Sequence, residues 1–457
     1  MNPCIKKICQ GIYHHIPERF RPGYGVYAQT RRMCTLFDHA DRETICNWQF
    51  RKLTEVINYA WNQLPGYREL WTKAGFSPEK FHTLDDFRRI PCVSREMISQ
   101  NLSLFSAKPT RKFCKSTTGG SSGTPLVFYD YTTWPYRENG FVFSLWDRVC
   151  PGIKLNDRNV ILRGAKLDDP CGYRFGSDSL YLSSYDLDKA HVEKFKELIE
   201  QFKPVYFQAY PTALTLFISV MKQYGLKINW QVKAVMLGSE PLYDYQKLLF
   251  KEFFQAPLSF WYGHTERLIL AGNCEKSDKF HIFPHYGYAE ILNGDNESVK
   301  EGEVGELTGT TFWNFATPLI RYRTQDFAEL GGSFCPECKR NFQILNRIEG
   351  RAQDYVIDKR GIPLTLTALI FAQHFCAFSH LSQMQLEQEV PGKVTLSVVP
   401  LDNFTEEDEK ELCSKITGAA RNELEVTIKY VKDIPRTVRG KQKMLVQHID
   451  ISKYLHL

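Results

Sequence analysis

The stretch Lys115-Ser-Thr-Thr-Gly-Gly-Ser-Ser-Gly-Thr-Pro125 gathers glycines and hydroxyls in a way that suits an anion. Gly119, Gly120 and Gly123 let the backbone turn its N–H groups inward without Cβ interference, and Thr118, Ser121, Ser122 and Thr124 can donate to phosphate oxygens. No Gly-Lys-Ser/Thr follows, so this is not a Walker A loop, and the dinucleotide fingerprint is missing too. On composition alone, a solvated Ser/Thr/Gly loop is the competing reading. A second pattern suits a soft metal. Cys335-Pro-Glu-Cys338 supplies two ligands of a knuckle, and Cys274-x6-His281 upstream offers two more. Structural zinc takes four ligands, so Cys274, His281, Cys335 and Cys338 would clamp two loops of one subdomain. Unrelated thiol and imidazole groups, or a redox CxxC, are the alternatives.

Such groups need a scaffold, and the chain has the material for one. Its 457 residues are ample for two or three domains, and 43% hydrophobic with 14% aromatic content fills a core. The formal charge of +6 is scattered rather than blocked, which argues against a nucleic-acid surface. No apolar run reaches membrane-spanning length. The run that comes closest, Leu364–Phe378, reads as a buried helix interrupted by Thr365, Thr367, Gln373 and His374. The N-terminal residues lack the apolar core of a signal peptide, and the 13 cysteines are spread thinly, which fits reduced thiols in the cytoplasm.

The first 110 residues read as helical. Trp48, Val56, Ile57, Ala60, Trp61 and Leu64 recur at helical spacing up to Pro65-Gly66, and Thr83 looks like the cap of a further helix. From 111 to 349, apolar runs (Asn159–Leu162, Val205–Gln208, Ala234–Leu237) alternate with helical ones (Ala190–Phe202, Ala213–Tyr224, Tyr245–Phe254). That alternation predicts α/β construction, with a small β-rich unit in its last part (Val304–Thr311, Phe327–Leu330). Residues 350–457 read as an α+β unit with strands Lys393–Val399 and Glu425–Tyr430 and a charged helix over Glu406–Arg421.

The glycine-rich loop is followed by Gly238-Ser-Glu-Pro241, Tyr262-Gly-His-Thr-Glu266, Arg321-Tyr-Arg-Thr-Gln-Asp326, Gly350-Arg-Ala-Gln-Asp354 and Pro435-Arg-Thr-Val-Arg-Gly-Lys441. In that order and spacing they resemble the core motifs of the adenylate-forming superfamily of acyl-CoA synthetases, adenylation domains and luciferases. The segments Asn58–Tyr67, Gly119-Gly120, Pro318-Leu-Ile-Arg-Tyr322 and Gly361-Ile-Pro-Leu-Thr365 are most similar to the phenylacetate–CoA ligase branch, including CapK-type proteins of capsular polysaccharide biosynthesis.

The resemblance implies a large N-terminal domain, with a helical preamble, an α/β core and a β-rich subdomain, and a small mobile α+β C-terminal domain. It implies ATP-dependent activation of a carboxylic acid to an acyl-adenylate, with pyrophosphate release and transfer to CoA or another nucleophile. Thr118–Thr124 would hold the β- and γ-phosphates. Gly238, Ser239 and Glu240 would lie against adenine, with Tyr262, Gly263 and His264 beside it. Thr265 would bond the α-phosphate, Glu266 would ligate Mg²⁺, Asp326 would accept from the ribose hydroxyls, and Arg351 would sit near ribose and hinge.

Lys441 would be catalytic, its ammonium stabilising the charge that builds on the attacking and bridging oxygens. The sequence departs from the pattern at Leu126, where members have lysine, at Gln325, where they have glycine, and at the expected hinge Gln353. The pantetheine-binding stretch is replaced by Gly361–Thr365, so the acceptor is CoA or an amine, including one carried by a glycan. Tyr210, Phe260 and Trp261 are the aromatic residues expected around the acid. The alternatives are an amide ligase, an AMP transferase in polysaccharide or cofactor modification, and a catalytically silent nucleotide-binding module. Retention of Glu266 and Lys441 argues against the last.

Overall fold

The computed structural model describes residues 20–118, 126–163, 172–176, 178–183, 186–351, 355–366, 369–370, 375–435 and 443–454. They form two compact units, each built from two stretches of chain. One takes in the described residues up to Leu155 with Trp261–Ile348, and the other Asn156–Phe260 with Glu349 onward.

The first unit opens with helices α1 (Tyr24–Asp38) and α2 (Arg42–Gln63). The Asp41 carboxylate accepts from Thr44 N–H at 2.7 Å and so caps α2. Ile45, Leu53, Val56, Ile57 and Ala60 form its buried face. Leu64 is extended, as a residue before proline must be, and α2 stops there. Pro65 does more than end that run. It is the first residue of another helix, Pro65–Lys73, where its fixed φ suits the first turn and its missing N–H costs nothing. Thr83 does make a capping box with Asp86, but the turn it starts is a 3₁₀ helix, Leu84–Arg89.

Strands β1 (Phe113–Thr117) and β2 (Val127–Tyr131) flank the glycine-rich loop as an antiparallel pair. The remaining strands of this unit run side by side in the order Gly287–Leu292, Val304–Thr311, Tyr322–Leu330, Ile344–Arg351, Phe280–Ile282, Leu270–Asn273, Leu258–Gly263. Arg321 locks the first three of these to the preamble. It is 1% exposed, its Nε and Nη2 donate to the Glu290 carboxylate at 3.0 and 2.9 Å, and Nη1 donates to the carbonyls of Arg88 and Ile90. Breaking a buried pair leaves an uncompensated charge, so Arg321→Met is expected to lower unfolding free energy by about 3–5 kcal/mol in a urea titration. A loss below about 1 kcal/mol, the surface-pair value, would contradict this account of the pair.

In the second unit, the strands Asn159–Arg163, Ser179–Ser183, Tyr206–Ala209 and Ala234–Gly238 are parallel, and Tyr173–Phe175 adds antiparallel at one edge. Their near-continuous apolar runs suit strands buried on both faces. Helices Lys189–Phe202, Pro211–Gln223 and Asp244–Phe254 alternate with them as the sequence predicts. Later, strands Leu381–Val390 and Lys393–Pro400 bury alternate residues and pair antiparallel, with Glu425–Tyr430 and Leu445–Gln447 adding parallel on either side. Helix Glu406–Ala419, capped by Thr405, buries Leu412 and Ile416. The helix expected over Leu364–Phe378 is corrected at both ends. Leu364 and Thr365 belong to strand Pro363–Thr365, and Cys376–Phe378 to a 3₁₀ turn, with buried Leu369 and Ile370 between. An apolar run alone does not distinguish these elements.

Candidate functional site

Strand Leu258–Gly263 delivers Tyr262 into the first unit, and the turn that follows carries His264, Thr265 and Glu266. The turn is closed by the Arg267 N–H donating to the His264 carbonyl at 3.0 Å, with Arg267 itself at φ +59°. Arg267 is anchored by the Asp130 carboxylate at the end of β2. This folds Glu266 inward, to 7% exposure, among cationic and hydroxyl partners. His264 Nδ1 is 3.3 Å from one carboxylate oxygen, and Arg95 Nη2 (3.6 Å) and the Tyr322 hydroxyl (3.4 Å) face the other. Burial alone would push its carboxyl up. His264, a backbone N–H and Arg95 outweigh that and hold it down at about 2. Glu266 is therefore an ionised, hard oxygen donor kept in place before any cation arrives.

Asp326, on strand Tyr322–Leu330, reaches Tyr262 in the strand that leads into this turn. The register between Glu306 and Thr308 slips there, so Thr324–Asp326 bulge out of the ladder. Gln325 takes φ +62°, which explains why glycine is usual at this position in the resembled family, and its side chain is exposed. The bulge leaves Asp326 6% exposed, accepting from the Tyr262 hydroxyl at 2.7 Å. Tyr262→Phe removes this charge-assisted bond, and a loss of about 1.5–3 kcal/mol in denaturant stability is expected. An unchanged midpoint would mean that the bond is not made in solution.

Thr118 lies at the mouth of the glycine-rich loop. Its Oγ1 accepts from Leu126 N–H at 2.9 Å, and its own N–H donates to the Leu126 carbonyl, cinching the loop at its base. Leu126, standing where lysine is common, is fully buried in the main core, so this position serves packing rather than charge. Gly119, Gly120, Ser121, Ser122, Gly123 and Thr124 lie outside the described residues, as do Gln353 and Lys441. Arg351 is the last residue of strand Ile344–Arg351, and only its backbone is described.

In the second unit, Gly238 ends a buried strand and Ser239 turns left-handed at φ +70°. Glu240 then folds onto helix Pro211–Gln223, accepting from Thr212 N–H (3.0 Å) and Oγ1 (2.8 Å). A carboxylate there complements a helix N-terminus whose N-cap residue, Tyr210, makes no side-chain cap bond. Phe260 is buried, while Tyr210 and Trp261 are half-buried.

The metal-ligand set is assembled. One ligand atom from each of Cys274, His281, Cys335 and Cys338 lies within 4.8 Å of every other. Cys338 Sγ is 3.7 Å from His281 Nε2, and Lys276 N–H donates to Cys274 Sγ at 3.3 Å. Two thiolates on tetrahedral zinc sit about 3.8 Å apart, so only a small contraction closes the set. Burial, with Arg148 and Arg340 nearby, lowers His281 to about 4, so its imidazole is neutral and offers a lone pair at neutral pH. His285, by contrast, is a core residue. It is fully buried, stacks on Phe37 at 4.3 Å and lies 3.2 Å from Cys34 Sγ.

Several partners escape sequence reasoning. Arg95 and Thr212 carry no motif signal. Tyr322 sits inside a recognised motif and could have been singled out there.

Residues 364–448 match the family model of the CapK C-terminal domain. The chain is 26% identical over 360 residues to phenylacetate-coenzyme A ligase of Escherichia coli (strain K12), a match covering 77% of this chain and 80% of that one. It is 21% identical over 452 residues to protein CapK of Staphylococcus aureus, covering 96% and 99%. Among solved structures, 2-hydroxyisobutyryl-CoA ligase in the postadenylation state, in complex with 2-HIB-AMP, superposes with a TM-score of 0.71 at 18% identity, covering 90% of this chain and 91% of that one. The resemblance drawn from the motifs is borne out, and the mixed α/β fold is that of acyl-CoA ligases.

Proposed function

We propose that this relative of phenylacetate–CoA ligase and CapK is an AMP-forming ligase that activates a small carboxylic acid with ATP and passes the acyl group to a nucleophile. The observation that carries the reading is the ionised, buried Glu266 held beside Thr265 and the Tyr262–Asp326 pair. In the first step, a carboxylate oxygen of the acid forms a bond to the α-phosphorus. The bond from that phosphorus to the bridging oxygen breaks, and pyrophosphate leaves with the electron pair.

The residues take separate roles. The loop from Thr118 to Thr124 cradles the β- and γ-phosphates with its N–H and hydroxyl groups. Tyr262, Gly263 and His264 lie against adenine and Asp326 accepts from the ribose, while Gly238, Ser239 and Glu240 are assigned to adenine by the motif resemblance alone. Thr265 donates to the α-phosphate. Arg351 sits near the ribose, at the start of a C-terminal domain that begins near residue 350 and moves between steps. That domain brings in Lys441. Glu266 is suited to Mg²⁺, which would neutralise phosphate charge opposite the lysine. We also assign zinc to Cys274, His281, Cys335 and Cys338, and expect about one ion per chain by elemental analysis.

CoA is the first acceptor to test, because the relative from Escherichia coli is named a coenzyme A ligase. An amine on a glycan precursor is the second, favoured by the CapK likeness over 96% of the chain. A cytoplasmic setting supplies ATP, CoA and reduced thiols. Among the described residues, no helix is long and apolar enough to cross a membrane.

The test is a scan of aryl, fatty, amino and uronic acids with ATP and Mg²⁺, CoA first omitted and then added, with AMP, pyrophosphate and thioester quantified. Thioester appearing only with CoA assigns the thiol route. Acid-dependent pyrophosphate release with no thioester, together with an amide formed when an amine is then added, assigns the amine route. AMP attached to a non-acid metabolite would replace this reading with nucleotidyl transfer.

A further inference from the structure

Residues 331–343, between two strands, contain no helix or strand, yet Cys335, Arg340 and Phe342 are buried or nearly so. Such a segment must be ordered by cross-links. Its internal bonds are few: the Cys335 N–H donates to the Arg340 carbonyl at 2.9 Å, and the Lys339 N–H donates to the Cys335 carbonyl at 2.8 Å, with Lys339 at φ +66°. The turn so made brings Cys335 and Cys338 to Cys274 and His281.

The next three residues all grip the junction between α1 and α2. Arg340 donates from Nη1 to both carboxylate oxygens of Glu275 at 2.8 Å, next to the ligand Cys274. Its Nε lies 3.3 Å from Asp38, the last residue of α1. Asp38 also pairs with Arg148 at 2.5 Å, whose guanidinium lies over the Phe283 ring. Asn341 Nδ2 donates to the Ala40 carbonyl at 3.0 Å, in the bend between the helices. Phe342 is fully buried against Phe37 of α1 and Ile45 of α2.

We propose that the metal-loaded Cys274–His281–Cys335–Cys338 knuckle is a clamp that docks the α1–α2 junction onto the strands of the first unit that lead into Cys274 and carry His281, with Arg340 as its jaw. This rests on the zinc assignment above. Four protein ligands close a tetrahedral ion, so the site has no open position for chemistry and acts through what it holds. Without the ion, Arg340–Glu275, hydrogen bonds and the packing of Cys335 and Cys338 on Cys274 are what hold the knuckle to Cys274 and His281 among the described residues. A segment with no helix or strand of its own and so few cross-links opens locally at lower free energy than the sheet beside it.

The test follows amide hydrogen exchange of the full chain, without nucleotide, alongside its zinc content. Chelation that removes zinc is expected to raise exchange by about tenfold or more in both 333–343 and 36–46, and added zinc(II) should restore protection in both. Arg340→Ala keeps all four ligands, so it should retain about one zinc per chain and a protected knuckle, with 36–46 alone exchanging faster. Unchanged protection of 36–46 after zinc is demonstrably lost, or in Arg340→Ala, would overturn the clamp. Absence of zinc from protein made with zinc available would instead overturn the assignment on which it rests. If the chelated protein fails to stay folded, Arg340→Ala still decides.

Discussion

Replacing Lys441 with alanine is expected to lower acid-dependent pyrophosphate release by about 10²–10³-fold, the usual cost of one electrostatic donor aimed at a transition state. ATP affinity should change little. The argument is one of timing. In the proposed ground state the acid's carboxylate and the phosphates carry settled charge, which the loop and a cation on Glu266 would already meet. As the new oxygen–phosphorus bond forms, negative charge moves towards the bridging oxygen, and an ammonium group there binds the transition state better than the substrate. A residue of this kind changes kcat, whereas loss of uniform binding would raise KM. Turnover and nucleotide titration of the same variant check the division, and equal loss of both would contradict it.

Glu266→Gln is expected to be comparably damaging, by about 10²–10³-fold in turnover, for a different reason. The amide keeps the shape but loses the charge, so a hard cation loses its anionic ligand. Raising Mg²⁺ should recover part of the loss in Glu266→Gln and none in Lys441→Ala. The same substitution removes the shared partner of His264, Arg95 and Tyr322, so stability falls too. The pH dependence has a fixed sign. The carboxyl is held at about 2 in the folded chain against an ordinary 4.5, so its stabilisation is complete above 4.5 and is lost as pH falls towards 2. Urea midpoints should fall more steeply in the parent than in Glu266→Gln across that window. Parallel curves would mean that Glu266 is not held ionised.

What the sequence reveals, and what it hides, follows from how local each feature is. The Tyr262–Glu266 turn and Asp326 are legible because each motif is contiguous and its residue types are chemically constrained. The Cys/His quartet is legible because a CxxC leaves two ligands to find, and Cys274 and His281 lie in the same subdomain. The partners that tune these groups are not legible. Arg95 is 171 residues from Glu266, counting along the chain from the sequence numbers, and nothing in its neighbours marks it. Glu240 capping the helix that begins at Pro211 is equally silent, since the cap comes from another strand's end rather than from the residue before the helix. Elements went astray where one signal serves two structures. Pro65 both stops α2 and starts the next helix, and Leu364–Phe378 is apolar enough for strand or helix alike. Gln325 shows the reverse case, a departure from family habit that the backbone angle explains once the bulge is seen.

The most direct measurement is mass-spectrometric detection of an acyl-adenylate in reactions holding enzyme, ATP, Mg²⁺ and a candidate acid, with no acceptor present. Adenylate formed in step with pyrophosphate, with one class of acid and lost in Lys441→Ala, is the predicted result. Tight ATP binding with no adenylate from any acid class, or AMP joined to a molecule without a carboxylate, would contradict acid activation.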